Sequence, residues 1–388
     1  MERTIEKIVI FGAGNVGRMA LQIYKENVVY FIDNNEKLYN KTIDGLLIKS
    51  VTEFVGEKDK YRLVIASYNQ KMMERQISEL GITNYELFLE ERHGYYETEE
   101  LIFNPYIDNE QRLVTEQEYN ENVEKSFLRE AVRQEVDRIY GKQEIFSHIE
   151  IETVNRCNGN CDFCPVSKKN DTREYMKMSR QLFESIIEQL AEMDYSGKLA
   201  LFSNNEPFLD DDIISKHKYA RQRLPKARMH LFTNGTLLTL DKFIDIIPYL
   251  DELVIDNYQQ ELKLIKPCVE IVRYCEEHSE LKKKVTIVLR KPHEILSSRG
   301  GDAPNREEMR TYPSDTCVLP FKQMIIRPDG KVSLCCCDPL GKNTLADLNK
   351  ETLFEAWNNQ RYKMVRECIQ KGRKEWKHCE KCDYFSLG

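Results

Sequence analysis

Cys157-Asn-Gly-Asn-Cys161-Asp-Phe-Cys164 is the stretch from which this chain is read. It directly follows Ile149–Val154, a run whose apolar content predicts a β-strand. Three thiols on one tight loop form a ligand set, because each thiolate can hold one iron of a cubane cluster. The fourth iron then has no protein ligand and is open to a small molecule. Zinc is the alternative, but it prefers four ligands, usually as two CxxC-like pairs, and no fourth ligand lies nearby.

Outward from this loop, strand and helix alternate. Candidate strands are Ile149–Val154, Leu199–Ser203, Arg228–Phe232, Leu253–Asp256 and Val285–Leu289. Between the first two, Leu182, Phe183, Ile186, Ile187 and Leu190 mark one face of a helix, with Ser179 as its N-cap. Five parallel strands with crossover helices predict an α/β fold, a partial barrel or open sheet, with its reactive groups at the strands' C-terminal ends. Ser203-Asn204-Asn205-Glu206-Pro207 ends the second strand, Thr233-Asn234-Gly235 the third, and Asp256 the fourth. Arg290, His293 and Arg299 follow the fifth.

The CxxxCxxC spacing, with aromatic Phe163 before the last Cys, resembles the radical S-adenosylmethionine (SAM) superfamily. The SNNEP run resembles that family's GGEP-like motif without its glycines, and Thr233-Asn234-Gly235 its TNG turn. The resemblance covers about residues 148–290. It implies a [4Fe-4S] cluster on Cys157, Cys161 and Cys164 whose open iron is chelated by SAM, which is then cleaved to a 5′-deoxyadenosyl radical. Phe163, Asn204, Asn205, Glu206, Asn234, Gly235 and Asp256 are then the expected SAM-site residues, with Glu206 receiving the SAM ammonium.

Cys317, Gly330, Cys335 and Cys379-Glu-Lys-Cys382 resemble the SPASM extension, and the count of four fits its shorter one-cluster relative, the twitch domain. By that resemblance Cys317, Cys335, Cys379 and Cys382 hold a second, auxiliary [4Fe-4S] cluster. Zinc on the same thiolates, as in a zinc ribbon, is the competing reading. Cys336 and Cys337 adjoin Cys335; strand alternation puts Cys337, not Cys336, on its face. Cys268, Cys275 and Cys368 read as plain buried or half-buried thiols.

At the N-terminal side, Ile8–Phe11 is a strand, Gly12-Ala-Gly14-Asn-Val-Gly17 opens a helix to about Lys25, and Val28–Ile32 ends at Asp33. Leu63–Ser67 and Glu86–Leu89 are further strands. In this βαβ setting the glycines admit phosphates to a helix N-terminus and Asp33 can bind a ribose hydroxyl. NAD or a nucleotide sugar is the expected ligand; a domain serving assembly alone is the alternative.

The expected organisation is a Rossmann-like domain (1–92), a helical linker (93–147), a radical SAM core (148–310) and a twitch/SPASM-like domain (311–388). Val123, Phe127, Val132, Val136 and Ile139 mark a helix within 116–140. Gln323–Arg327 and Lys331–Cys335 predict a hairpin turning at Asp329-Gly330, with a helix near 351–370 behind it.

Composition narrows the class. A net charge of -7 with no long basic run argues against nucleic acid as the main partner. The N-terminal residues lack a secretory h-region, and no apolar stretch reaches membrane-spanning length, so the expected compartment is the cytoplasm. There, twelve cysteines point to clusters or metals rather than disulfides.

Five barrel strands with one auxiliary site resemble the radical SAM dehydrogenases of aminoglycoside biosynthesis. The implied reaction is oxidation of a carbinol carbon of a sugar-like, nucleotide-linked substrate, the surplus electron passing to the auxiliary cluster. Arg290 or Arg299 would orient the alcohol, and His293 has the pKa range for its proton. A flavodoxin or ferredoxin is the expected electron donor. A peptide maturase or epimerase, and a zinc-bearing nucleotide-binding scaffold, are the alternatives.

Overall fold

The computed structural model describes residues 7–67, 70–88, 101–104, 106, 129, 131–142, 145–306 and 311–386. They fall in two compact units, Met1–Gly94 and Tyr95–Gly388. In the first, Ile8-Val-Ile-Phe11 forms β1, buried on both faces as a run of four apolar residues requires. The other strands are β2 (Val28–Asp33), β3 (Thr42–Ile43), β4 (Leu46–Ser50), β5 (Arg62–Ile65) and β6 (Tyr85–Leu87). The sheet order is β3-β4-β2-β1-β5-β6, parallel except for the β3/β4 pair. That pair turns at Asp44-Gly45, both at positive φ (48° and 82°). Neither strand is expected from sequence; β3, two residues long, has no periodicity to read. The helix after the glycines, Asn15–Tyr24, ends one residue before the expected limit.

The second unit carries β7 (Ile102–Phe103), β8 (His148–Ile151), β9 (Lys198–Ala200), β10 (Arg228–Thr233), β11 (Glu252–Tyr258) and β12 (Val285–Arg290). Then come β13 (Gln323–Ile326), β14 (Lys331–Ser333) and β15 (Thr344–Asp347). Among the described residues they form one open sheet ordered β15-β14-β13-β8-β9-β10-β11-β12-β7. The five expected strands, β8 to β12, are neighbours and parallel. Two further parallel strands flank them. β7 comes from the segment read as a helical linker, and β13 joins β8 from the C-terminal side. Residues 131–139 are the helix expected there, burying Val132, Val136 and Ile139; Val123 and Phe127 lie outside the described residues.

Alternation gives this sheet two different faces. Ile149, Ile151, Leu199, Met229, Leu231, Leu253, Ile255 and Ile287 share a core with Phe183, Ile186, Ile187 and Leu190 of the helix Arg180–Glu192. Each such side chain contributes roughly 1.5–3 kcal/mol of burial. Ser179 caps that helix, accepting from the Leu182 N–H at 3.2 Å. The intervening positions point the other way and include His148, Glu150, Phe202, His230 and Phe232. Phe202 and Phe232 stack at 5.3 Å, and the rings of His148 and His230 lie 5.2 Å apart.

Asp329-Gly330 turns the β13/β14 hairpin as expected, with Gly330 at φ 80°. The strand stops at Ser333, so Cys335–Cys337 lie in a turn rather than on an alternating strand. The expected helix near 351–370 is two helices, Leu353–Asn358 and Gln360–Lys371. Asn359 breaks them: it leaves helical φ/ψ and caps the second through its side chain and the Tyr362 N–H, 2.9 Å. Among the described residues no helix is long and apolar enough to cross a membrane.

Candidate functional site

The Cys157–Cys164 loop leaves the C-terminal end of β8 and is tied to its neighbours by backbone. Glu206 N donates to Arg156 O (2.8 Å), and Asp162 N to Pro292 O (2.9 Å). Cys161 is buried; Cys157 and Cys164 are half-buried. Burial pushes the Cys157 and Cys161 thiols up to about 12 each, with neighbouring thiols and acids adding to it. They ionise only when a strong positive charge arrives, which is what a metal group supplies. Gly159 lies against them without a side chain: a Cβ there would stand 3.4 Å from Cys157 Sγ and 3.9 Å from Cys161 Sγ. Gly159 N also donates to Cys157 Sγ at 3.3 Å. This bare backbone beside two sulfurs fits an iron–sulfur cluster on the loop.

The strand ends gather on this loop. Asn234, after β10, donates to Asn158 Oδ1 (2.8 Å), and its side-chain nitrogen lies 3.8 Å from Cys157 Sγ. Phe163 packs on Tyr258 of β11, ring centroids 5.9 Å apart. Asp256 faces Arg290 at 3.5 Å, and burial raises its carboxyl above the usual range against that pull. Asn205 Oδ1 accepts from Ser203 N at 2.9 Å, while its buried Nδ2 has no partner. A ligand of the loop can take that donor.

Glu206 is already engaged by protein groups. Its carboxylate is 1% exposed and accepts from Thr233 Oγ1 (2.7 Å), Asn234 N (2.8 Å) and Phe208 N (3.1 Å). These protein donors hold it, and it pins the Thr233–Gly235 turn. Gly235 is required there: φ is 73°, and a Cβ would meet Ile255 at 2.6 Å.

The residues after β12 separate. Arg290 pairs with Asp256 and with Glu294 (3.2 Å), and Tyr106 bonds the same Glu294. His293 pairs with Asp162 of the cysteine loop but is 63% exposed, on the solvent side. Arg299 points inward. Its guanidinium donates to Asn204 Oδ1 (3.4 Å) and Cys336 O (3.3 Å). Burial lowers its pKa, but Cys337, Cys164 and Cys336 raise it further. Arg299 is therefore bonded to the Cys335–Cys337 turn and lies within the field of Cys164 of the loop. Asn204 repeats the link, donating to Cys336 O at 3.3 Å.

Two buried carboxylates were not singled out from sequence. Glu150 of β8 accepts from Gln323 Nε2 (2.7 Å), with Ser203 and Arg299 also acting on it. Burial lifts it to about 7 against their pull. Glu152 is lifted to about 7 in the same way, opposed by Arg173. Arg173 also donates to the carbonyls of Asn155 (3.0 Å), Asn204 (3.1 Å) and Pro339 (3.1 Å), tying both cysteine regions together. The sequence did hold a signal for Glu150: in His-Ile-Glu-Ile it alternates with core residues and faces away from the helices.

Five sulfurs, those of Cys317, Cys335, Cys337, Cys379 and Cys382, line a small cavity with Arg373, His378 and Tyr384. Cys335 and Cys382 act electrostatically on Cys317, Cys382 acts on Cys335, and all three act on Cys379. Cys337 bonds Cys335, Cys336 and Cys382. Cys336 does not line the cavity; its turn, rather than strand alternation, turns it away. Cys268 and Cys275 sit in the core and Cys368 is half-buried. Among the described residues no three His, Cys, Asp or Glu side chains close on a single-ion position. Cysteines around one cavity are the donor set that an iron–sulfur cluster takes.

In the N-terminal unit, Gly12 (φ 117°) and Gly17 permit close packing: a Cβ would meet Ala66 O at 2.4 Å or Gly12 O at 1.8 Å. Gly14 has nothing within 4 Å, so its backbone faces open space. Asp33 accepts from Ala13 N (2.7 Å) and Asn35 N (2.8 Å), bracing the glycine turn.

Residues 151–259 match the family model of the radical SAM superfamily, and 317–383 that of the iron–sulfur cluster-binding SPASM domain. Such domains imply SAM and iron–sulfur clusters as cofactors. The chain is 25% identical over 249 residues to an S-adenosyl-L-methionine-dependent 2-deoxy-scyllo-inosamine dehydrogenase of Niallia circulans, covering 63% of this chain and 95% of that protein. It is similar in fold to BtrN solved with AdoMet and 2-DOIA: TM-score 0.54, 22% identity, 62% of this chain and 94% of that one. An open-conformation BtrN structure aligns with TM-score 0.46 and 18% identity over 62% and 93%.

Proposed function

We propose that this chain, a radical SAM protein with a SPASM-type domain on its C-terminal side, dehydrogenates an alcohol carbon of a sugar-like small molecule. The observation that carries this reading is Arg299, inward-facing, bonded to the Cys336 carbonyl next to the second thiol set and within the field of Cys164 of the first. A substrate held there lies between a hydrogen-abstracting site and an electron-accepting one. The similarity to a SAM-dependent dehydrogenase supports the same class.

In this reading Cys157, Cys161 and Cys164 hold the cluster that binds SAM, and Cys317, Cys335, Cys379 and Cys382 hold one auxiliary [4Fe-4S] cluster. When bound, the first cluster with SAM supplies a 5′-deoxyadenosyl radical, and the second accepts one electron. The chain's residues do the rest. Asn205, Asn234 and Asp256 bind the polar ends of SAM, with Phe163 closing one side. Glu206 acts through the Thr233–Gly235 turn, because its carboxylate is already engaged there. Arg299 stays protonated and orients the alcohol oxygen. Glu150, lifted to about 7 by burial beside Ser203 and Arg299, takes the alcohol proton on a carboxylate oxygen. His293 is less suited, being on the solvent side with Asp162. Arg290 supports the loop through Asp256 and Glu294.

The bare backbone at Gly14 supports nucleotide binding by the N-terminal unit, and a nucleotide-linked sugar is the substrate class proposed. A one-electron donor of the flavodoxin or ferredoxin kind starts each turnover. The test is anaerobic: the reconstituted chain, given SAM, dithionite and a panel of nucleotide sugars and aminocyclitols, is expected to release a ketone with one SAM consumed per product. SAM cleavage without any oxidised product across the panel, but with a modified peptide, would favour peptide maturation.

A further inference from the structure

Arg373 is 1% exposed, yet among the described residues no carboxylate pairs with it. Its three guanidinium nitrogens go to carbonyls: Thr316 O (3.2 Å), Cys382 O (2.8 Å) and Tyr384 O (2.7 Å). Its plane lies over Phe385, 3.9 Å from the ring centroid. A buried cation without an anion is costly, so its counter-charge is expected close by. The ionisable groups in its field are thiols: Cys317, Cys379 and Cys382, which become its counter-charge when they bind as thiolates.

Cys382 gathers more. The backbone N–H groups of Tyr384 and Gly300 both donate to its sulfur, and the Cys337 thiol bonds it along with Cys335 and Cys336. Gly300 reaches this place only as glycine: φ is 64°, and a Cβ would run into His378 at 2.1 Å. His378 in turn bonds Cys337 O at 2.9 Å, fixing that residue's backbone. Two backbone donors and a buried cation thus gather at one ligand sulfur, with the Cys337 thiol shared among Cys335, Cys336 and Cys382. Positive charge and hydrogen bonds at cluster sulfurs favour the state with one more electron.

We propose that Arg373, with the Gly300 and Tyr384 donors on Cys382 and the thiol of Cys337, raises the electron affinity of the auxiliary cluster so that it takes the electron released by the oxidised substrate. The inference rests on the dehydrogenase reading for its purpose. The balance closes on SAM as oxidant: one electron cleaves its sulfonium bond, the substrate C–H hydrogen passes to 5′-deoxyadenosine, and the carbinol radical gives a ketone, a proton and one electron. That electron is the one received here. Arg373 and Cys337 are positioning residues; neither is assigned a contact with substrate.

The test is a redox titration of the auxiliary cluster by electron paramagnetic resonance, on the full chain with Cys157, Cys161 and Cys164 replaced by Ala so that one cluster remains. Arg373→Met is expected to make reduction about tenfold less favourable, about 59 mV for one electron. Arg373→Lys should recover part of the loss, and Cys337→Ala should move the potential the same way by less. Unchanged potentials in Arg373→Met and Cys337→Ala, with iron content retained, overturn the proposal. If both Arg373 variants lose iron, Cys337→Ala decides alone, and an unchanged potential there overturns it. A shifted potential in a chain that oxidises no sugar-like alcohol leaves the tuning standing and removes the dehydrogenase reading instead.

Discussion

Glu150 is 7% exposed, on a strand whose next residue enters the core, and burial holds its carboxyl near 7 against Ser203 and Arg299. The proton is bound more tightly in the folded chain than in the unfolded one, where the ordinary value is 4.5. The stability from this difference is complete below that ordinary value and is lost as pH rises through about 7. Glu150→Gln is therefore expected to flatten the fall in stability of the cluster-free chain between about pH 5 and pH 8, by at most about 3 kcal/mol. Denaturant titrations across that range check it; an unchanged slope means the carboxyl is not lifted. The same substitution should lower the rate of alcohol oxidation while leaving 5′-deoxyadenosine formation without substrate unchanged. Glu206→Gln deprives one of three donors of its acceptor, a loss of about 1–3 kcal/mol, and should weaken SAM binding through the loosened Asn234 turn. Equilibrium dialysis with SAM measures that. Glu206 was singled out from its place after a strand. Its engagement by Thr233, Asn234 and Phe208 was not legible, because it depends on a turn nearly thirty residues away closing over it.

At the scale of elements, periodicity carried the long strands and failed on short ones. Ile8–Phe11, Arg228–Thr233 and Val285–Arg290 have enough apolar positions to declare themselves, whereas Ile102–Phe103 is two residues that only its pairing with β12 makes a strand. The cysteine turn shows the converse case. Cys337 was assigned the face of Cys335 by strand alternation; it does line the same cavity, but through a turn that begins after Ser333. The glycine run gives a prediction at this scale. A side chain at Gly17 meets the Gly12 carbonyl at 1.8 Å, so Gly17→Val should unfold the N-terminal unit. Gly14 has no neighbour within 4 Å, so Gly14→Val should leave that unit folded. It should weaken nucleotide binding about tenfold or more, a change of about 1.4 kcal/mol, by blocking backbone approach to phosphate. Calorimetry with NAD and with nucleotide sugars on the full chain reads the affinity, and hydrogen exchange over β1 reads the fold. Binding of neither ligand by the unmodified chain would leave the unit an assembly role.

For the whole molecule, the question is whether two thiol sets in one compact unit serve one reaction. Replacing Cys157, Cys161 and Cys164 together should abolish reductive SAM cleavage and leave about half the iron, since the second cavity is built from Cys317, Cys335, Cys379 and Cys382. Replacing the second set should spare 5′-deoxyadenosine formation and stop the oxidation. Asn204, Arg173 and Arg299 join the two regions by hydrogen bonds to the Cys336 and Pro339 carbonyls, the place where the proposed reaction puts its substrate. That arrangement makes a prediction about the fate of one hydrogen atom. If the carbinol C–H is abstracted and its electron leaves through the second site, the hydrogen cannot return. Deuterium placed on the reacting carbon should then appear in 5′-deoxyadenosine, one label per SAM consumed, and be absent from the ketone. Label returned to product with SAM regenerated would instead describe an isomerase that recycles SAM. Product at the substrate's oxidation level with inverted configuration would describe an epimerase, in which the radical carbon is quenched by a hydrogen donor and the second cluster takes no electron from the substrate.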